Sequence, residues 1–526
     1  MKKNDPVNLS TARVISDTFF VSAARIGMTI LKPIRGILLG RILGPELYGI
    51  LIIPVPYVQI LTLLSNIGFN TAVIRLIPGY RQKGDPESAR MIYRSAGLLT
   101  LGLSIVWSAL LFVLARWIAI DISHRPDAFL PIRIYALIIP FLAINAFYAV
   151  AFLSMQRGRL RAGLSIVYGM ANLILPICAI LWRKNISLVL GGFLAAEIIG
   201  AILYAVFFHR NVLKDLATRA GETAKQAVSL ARGAKEVFGF GFLFFFANLG
   251  WNLINSVDRI MVKFYLPAEE LAFYGMAALI ITALTIVSST AGTALIPSLT
   301  AAVDKGDKQL FRKQIWNTTR LGLMVLIPAA SILFTLSTDI YEIVLPRYIS
   351  SAGPLRILVF IGFIDILCRT AWASLVAYGK GGKAAIAYIS AASLNIVLNI
   401  VLIPRMGIVG AALATLSSFV ALAIVLQAMM TAVSGVRSRI TDLIHPLLIS
   451  LVFPALGYVL AGAQNWIRVI VIILAGIAIF VVIALVTRLI RSEDIARVTE
   501  IIEKRPDGPL KKTAYSLLDI LRKFTR

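Results

Sequence analysis

Charge is scarce in this 526-residue chain: only 15% of residues are Asp, Glu, Lys or Arg, against 59% hydrophobic. A soluble globular protein is about one quarter charged. That deficit, with a mean hydropathy of +0.85, excludes an ordinary cytosolic enzyme and also excludes disorder, which needs low hydrophobicity. Acidic residues are rarer still, 26 against 52 basic, for a formal charge of +26. Cys178 and Cys368 cannot build a disulfide framework. His124, His209 and His445 are far apart and offer no metal-ligand spacing. No Walker A loop, HExxH, GxSxG or DxD occurs, so no metal, cofactor or catalytic constellation is indicated. The polar stretch Met1–Asp17 has no signal-peptide pattern.

What is present is apolar sequence in long runs. A membrane-crossing helix needs ~20 mostly apolar residues. About fourteen such runs are predicted, at roughly 18–40, 47–74, 95–115, 134–154, 163–182, 187–208, 237–262, 271–300, 317–337, 354–378, 384–403, 408–431, 443–462 and 466–487. Basic residues set the orientation. Loops on the side of the two termini hold 35 Lys and Arg, the opposite loops 11, and six lie inside spans. Both termini are therefore expected in the cytoplasm, and the excess charge faces anionic lipid rather than nucleic acid. In the tail, Leu510, Ala514, Leu517, Leu521 and Phe524 recur at helical spacing among basic residues, the pattern of a helix lying on a membrane surface.

A weak internal repeat is visible. Leu43–Gly49 (LGPELYG) resembles Leu266–Gly275 (LPAEELAFYG), and Met155–Ile177 resembles Tyr378–Pro404. Six spans form the unit, and because six is even the copies run parallel. The expected architecture is all-α: a six-helix lobe over 1–208, a linker over 209–236, a second lobe over 237–440, two extra spans over 441–488 and a basic tail over 489–526. Two lobes around a central cavity is a transporter plan. The outward loops are too short to hold a catalytic domain.

Polar residues inside the spans are the candidate site, since charges at membrane depth cost several kcal/mol and face a cavity or a partner. Arg25, Lys32 and Arg35 fall within one ~80° stripe of the first span, with Pro33 between them. Guanidinium and ammonium groups there suit a phosphate; alternatively they snorkel to the two interfaces. Asn248, Asn252, Asn255 and Arg259 share one face of the seventh span, fitting a sugar or phosphate ligand or, equally, helix–helix hydrogen bonds. Gln59, Asn66 and Asn70 form a similar stripe in the second span, where Pro54 and Pro56 mark a break near the outer end. Glu197 and Asp258 are candidates for ion coupling, as is Asp365, which can instead pair with Arg369 at i, i+4. Glu197 has no partner nearby in sequence. Asn172, Asn395 and Asn399 read first as helix–helix contacts.

Four stretches carry a family resemblance: Gly40–Leu51, Leu64–Ile77, Ser256–Ile280 and Leu394–Ser418. In order and spacing the chain resembles the polysaccharide transporter and O-antigen flippase family, in the superfamily that includes multidrug and toxic-compound extrusion transporters and lipid II flippases. The resemblance runs from about residue 15 to 488. It implies movement of a polyprenyl-pyrophosphate oligosaccharide to the outer leaflet of the inner membrane, by alternating access. It also implies contact with membrane lipids and with glycan-assembly enzymes, and a pyrophosphate-binding role for Arg25. The lipid II flippases have a further arginine in the eighth helix; here the eighth span has none, a departure from the pattern that leaves Arg259, at the end of the seventh, as the candidate replacement. The competing expectations are a cation-coupled exporter on the same scaffold, a membrane polymerase, and a non-transporting scaffold.

Overall fold

The computed structural model describes residues 31–210, 230–439 and 441–487, with Gly27, Leu489 and Thr499. Arg25, the tail helix and most of the expected linker lie outside the described residues. Every regular element among the described residues is helical, as hydrocarbon requires, because a helix satisfies its own backbone hydrogen bonds. The first six helical segments are α1 (31–52), α2 (Pro54–Leu64), α3 (Phe69–Gln82), α4 (Pro86–Trp117), α5 (Phe129–Ser154) and α6 (Gly158–Trp182). They are followed by α7 (Ile186–Phe208), α8 (Leu230–Tyr265), α9 (Ala268–Asp304), α10 (Lys308–Thr335), α11 (Ser337–Val344) and α12 (Ala352–Ala377). The chain ends in α13 (Gly381–Ser434), α14 (Thr441–Ser450), α15 (Val452–Val459) and α16 (Asn465–Val486).

Eleven helical stretches among these are long and apolar enough to cross a membrane, fewer than the fourteen expected. Part of the difference is that α13 counts once. Its 54 residues are two helices meeting at Gly407, and a Cβ on Gly410 would lie 2.3 Å from the Leu402 carbonyl oxygen, so the chain turns back there. Neither α1 nor α8 is among the eleven. The helices also overrun their apolar runs: α4 begins at Pro86, nine residues before the predicted edge, and residues 230–236, expected in the linker, are the first turns of α8.

Helix starts reveal a second repeat. Lys83-Gly84-Asp85 and Lys305-Gly306-Asp307 are identical tripeptides. Asp85 Oδ1 accepts from the Ser88 backbone N–H at 2.9 Å, and Asp307 Oδ1 from that of Leu310 at 2.8 Å, capping α4 and α10. Caps of this kind satisfy N–H groups that the first helical turn leaves unpaired. Both lie on the face richest in Lys and Arg, here called the basic face. At the opposite ends of the helices, Trp117, Trp182, Tyr458 and Trp466 are exposed, as amphipathic aromatics are at a membrane interface.

α8 joins the halves. It packs on α2, α3 and α4 and also on α9 and α13. The first half and the second touch on both sides of the molecule. Away from the basic face, a Cβ on Gly49 would lie 2.0 Å from the Ala268 carbonyl oxygen, and the Tyr348 hydroxyl donates to Gly40 O at 3.0 Å. Toward the basic face, a Cβ on Gly68 would lie 2.0 Å from Gly241 O. There Tyr80 OH donates to Glu236 Oε1 at 2.5 Å and Ser95 Oγ to Leu230 O at 3.1 Å. Only residues without a side chain allow such backbone approach. The last helices attach separately. Phe453, Ile472 and Phe480 form their own buried cluster against Leu336, and the Arg468 guanidinium pairs with buried Asp339.

Candidate functional site

A cavity of about 490 Å³ lies between α1, α2, α5, α6 and α7 on one side and α8 on the other. Its charged lining is Lys32, Arg35 and Arg259 against the single carboxylate Glu197.

Arg35 and Glu197 are held by neighbours. Arg35 Nη1 donates to the Asn172 carbonyl oxygen at 3.2 Å and to Asn172 Oδ1, and its guanidinium lies over the Phe193 ring, 4.6 Å from the centroid. Asn172 Nδ2 donates to Glu197 Oε1 at 2.8 Å. Glu197 also accepts from Tyr168 OH at 2.7 Å and from Asn145 Nδ2 at 2.8 Å. Three donors thus satisfy a buried carboxylate without spending a cation on it directly. The guanidinium of Arg35 stays on the cavity wall, with its orientation set through the Asn172 amide.

The α8 face is built differently. Asn252 Nδ2 donates back to Asn248 O at 2.9 Å, Asn255 Nδ2 to Trp251 O at 2.7 Å and Arg259 Nη2 to Asn255 O at 3.1 Å. These i−4 bonds lay the side chains along the helix. Asn252, Asn255 and Arg259 line the cavity, and Ser256 bridges it by donating to Gln59 Oε1 at 3.1 Å. Asn248 is exposed and is not part of the lining.

Four further expected residues sit elsewhere. The stripe of Gln59, Asn66 and Asn70 does not exist as one helical face, because the helix breaks at Ser65–Gly68, where Ile67 has φ +33° and Gly68 φ +79°. Asn66 Oδ1 accepts from the Asn70 backbone N–H at 3.0 Å, so Asn66 serves that turn, and neither residue lines the cavity. A second interruption falls where it was expected, at Ile53 before Pro54, where α1 gives way to α2 with Ile53 still in helical φ and ψ. Asp258 lies off the cavity face of α8, accepting from Tyr274 OH at 2.5 Å and Thr415 Oγ1 at 2.9 Å. Asp365 pairs with Arg369 at 3.2 Å and accepts from Ser288. Tyr168, Asn145 and Phe193 were not singled out from sequence. For Tyr168 a signal existed, its i, i+4 spacing to Asn172. Among the described residues no group of three His, Cys, Asp or Glu gathers to hold a metal.

Comparison with known proteins places the chain in a family. The family profile described as polysaccharide biosynthesis protein matches residues 14–303, more than half of the chain. The chain belongs to the polysaccharide biosynthesis protein family. A second profile, MatE, matches residues 244–401. A Shigella flexneri member of the similar set, named as an O-antigen transporter, is 22% identical over 391 residues, covering 71% of this chain and 87% of its own. A Haloferax volcanii protein named as the low-salt glycan biosynthesis flippase Agl15 is 24% identical over 247 residues, covering 45% and 51%. Among solved structures, the lipid II flippase MurJ in an inward closed conformation matches with a TM-score of 0.70 at 16% identity, covering 88% of this chain and 97% of its own. The fold is that of the MurJ and MATE transporters, and the family and fold neighbours are transporters and flippases rather than enzymes. This member of the polysaccharide biosynthesis protein family is a multi-pass membrane protein.

Proposed function

We propose that the chain is a flippase that carries a polyprenyl-pyrophosphate-linked oligosaccharide from the cytoplasmic to the outer leaflet of the inner membrane, by alternating access, with both termini cytoplasmic. The observation that carries this reading is the cavity lining of three cations and one internally satisfied carboxylate. A pyrophosphate cannot cross hydrocarbon unaided, and a cationic wall lowers that barrier. Lys32, Arg35 and Arg259 face the pyrophosphate; Gln59, Asn252 and Asn255 offer amides to the first sugars. The lipid tail stays in the bilayer, so only the head group needs the cavity. Substrate arrives from glycan-assembly enzymes at the basic face, which is the cytoplasmic one.

The test is the sidedness of the lipid-linked glycan pool in depleted cells. The expected result is an intermediate confined to the cytoplasmic leaflet, restored to the outer leaflet by wild type and not by Arg35→Ala or Arg259→Ala at equal protein levels. Both variants restoring the pool would overturn the site. The MatE match keeps an exporter of cationic molecules as the second reading; a net cationic cavity disfavours it, and drug sensitivity on depletion with an unchanged glycan pool would select it.

A further inference from the structure

A second polar recess lies apart from the transport cavity, at the basic face between the first turns of α10 and the segment leading into α14. It measures about 430 Å³. Arg312, Lys313, Arg320 and Arg439 line it, with Asp442 as the one carboxylate of the lining. Trp316 is its platform. The guanidinium carbon of Arg439 lies 3.5 Å and that of Arg312 4.5 Å from the indole centroid. The indole is fixed by Nε1 donating to Arg437 O at 2.9 Å. That segment is pinned in turn, because Ser438 Oγ donates to Gln427 Oε1 at 2.8 Å and Gln427 Nε2 to Leu367 O at 2.8 Å. Two like-charged groups are thus gathered on one rigid ring. A π face holds a cation without neutralising it, so the recess keeps its charge, and guanidinium forks match phosphate oxygens.

The recess opens into something apolar. A groove of about 710 Å³ runs between α9 and α10, walled by Val287, Ala291, Ala294, Leu295, Leu310 and Leu321. Lys313 and Asn317 belong to both recess and groove. A cationic mouth continued by an apolar trough has the shape of an amphiphile. We propose that the two together seat an acidic phospholipid of the basic-face leaflet, with its headgroup phosphate on Arg312 and Arg439 over Trp316 and an acyl chain along the groove. Charge selects this occupant. Basic pockets between membrane helices on that side recognise anionic headgroups. The chain's own residues 504–526 carry seven basic and two acidic side chains and are repelled by the same lining. The inference goes beyond the transport reading and uses none of its cavity residues.

The experiment measures thermal shift and native mass spectrometry on the purified full chain with phosphatidylglycerol, phosphatidylcholine and glycerol 3-phosphate. Phosphatidylglycerol is expected to raise the melting temperature and to remain bound, and phosphatidylcholine to do neither. Arg312→Gln/Arg439→Gln is expected to weaken phosphatidylglycerol binding at least about tenfold, the loss of one to two charge-assisted hydrogen bonds. Lys305→Gln/Lys308→Gln, which removes the same charge from the same face outside the recess, is expected to keep it. Ala294→Trp, filling the groove, is expected to weaken the phospholipid and leave the weak binding of glycerol 3-phosphate unchanged. Equal binding by wild type and Arg312→Gln/Arg439→Gln overturns the proposal, as does equal loss in the lysine control, equal binding of phosphatidylcholine, or glycerol 3-phosphate binding as tightly as the phospholipid. Binding that appears only after removal of residues 504–526 overturns it as well, since the occupant is then the chain's own tail.

Discussion

Gly49→Ala isolates the seal on the side away from the basic face. The new Cβ would lie 2.0 Å from the Ala268 carbonyl oxygen, whereas an unstrained C···O approach is about 3.3 Å. The starts of the second and eighth spans must therefore separate by roughly 1.3 Å there, and the obstacle is backbone on both sides. Overpacking of this kind costs about 1–3 kcal/mol. The cost falls on the conformation in which this contact is closed and vanishes when it opens. The equilibrium should shift about 5- to 150-fold toward opening on that side. The assay is the labelling rate of Gln59→Cys, in a background with Cys178→Ser, by a membrane-impermeant maleimide added from outside. Gln59 is an exposed residue of the cavity wall, so its labelling reports access through that seal. Gly241→Ala loads the opposite seal, where its Cβ would meet Gly68 C and Ile67 O at 2.8 Å, and should slow outside labelling. A Gly49→Ala protein that is folded, normally abundant and labelled at the wild-type rate would refute the reasoning. So would Gly241→Ala accelerating the same label.

Three further outcomes are expected. Asn172→Leu removes the side-chain acceptor of Arg35, leaving the backbone one, and one donor to Glu197, hydrogen bonds to charged groups worth about 1.5–3 kcal/mol each; flipping should fall toward the level of Arg35→Ala while protein abundance holds, and full activity would show that Arg35 needs no side-chain positioning. Asp85→Ala should lower stability by about 1 kcal/mol at pH 7. The bonds from Ser88 hold the Asp85 carboxyl below its ordinary value, so that stability is present above the ordinary carboxylate range and is lost as pH falls through the folded-state value. The wild-type advantage over Asp85→Ala in thermal unfolding should therefore shrink below about pH 4, and an advantage that persists in acid would contradict the cap. Asp339→Ala leaves Arg468 without its carboxylate and should cost about 1–3 kcal/mol, read as earlier proteolysis of the segment 460–487 than of the rest.

The legible features were those that repeat within one helix. The left-handed residue Gly44 inside α1 and the reversal at Gly407 fall where glycine and proline interrupt apolar runs, and the α8 stripe of Asn252, Asn255 and Arg259 obeys the helical period and reaches the cavity. What period alone misjudged was Asn66 and Asn70, because the period assumes an unbroken helix and the Ser-Asn-Ile-Gly turn breaks it. The partners of Glu197 were invisible for a different reason. Tyr168, Asn172 and Asn145 come from α6 and α5, and pairings across helices follow from tertiary packing, which has no sequence period. The twin Lys-Gly-Asp starts of α4 and α10 were readable as identical tripeptides and support the six-span repeat.

Sixteen of the twenty residues lining the transport cavity come from the first 200, and the other four from a single helix, α8. On the proposed reading of this cavity, what is carried changes by drift in α1, α2 and α5–α8, while α9 to α13 remain under the separate demand of packing and movement. Recombination between relatives at the short link after α8, before Ala268, would then exchange the whole lining as a unit. Lineages that decorate their surfaces with different sugars need not reinvent the machine to do so.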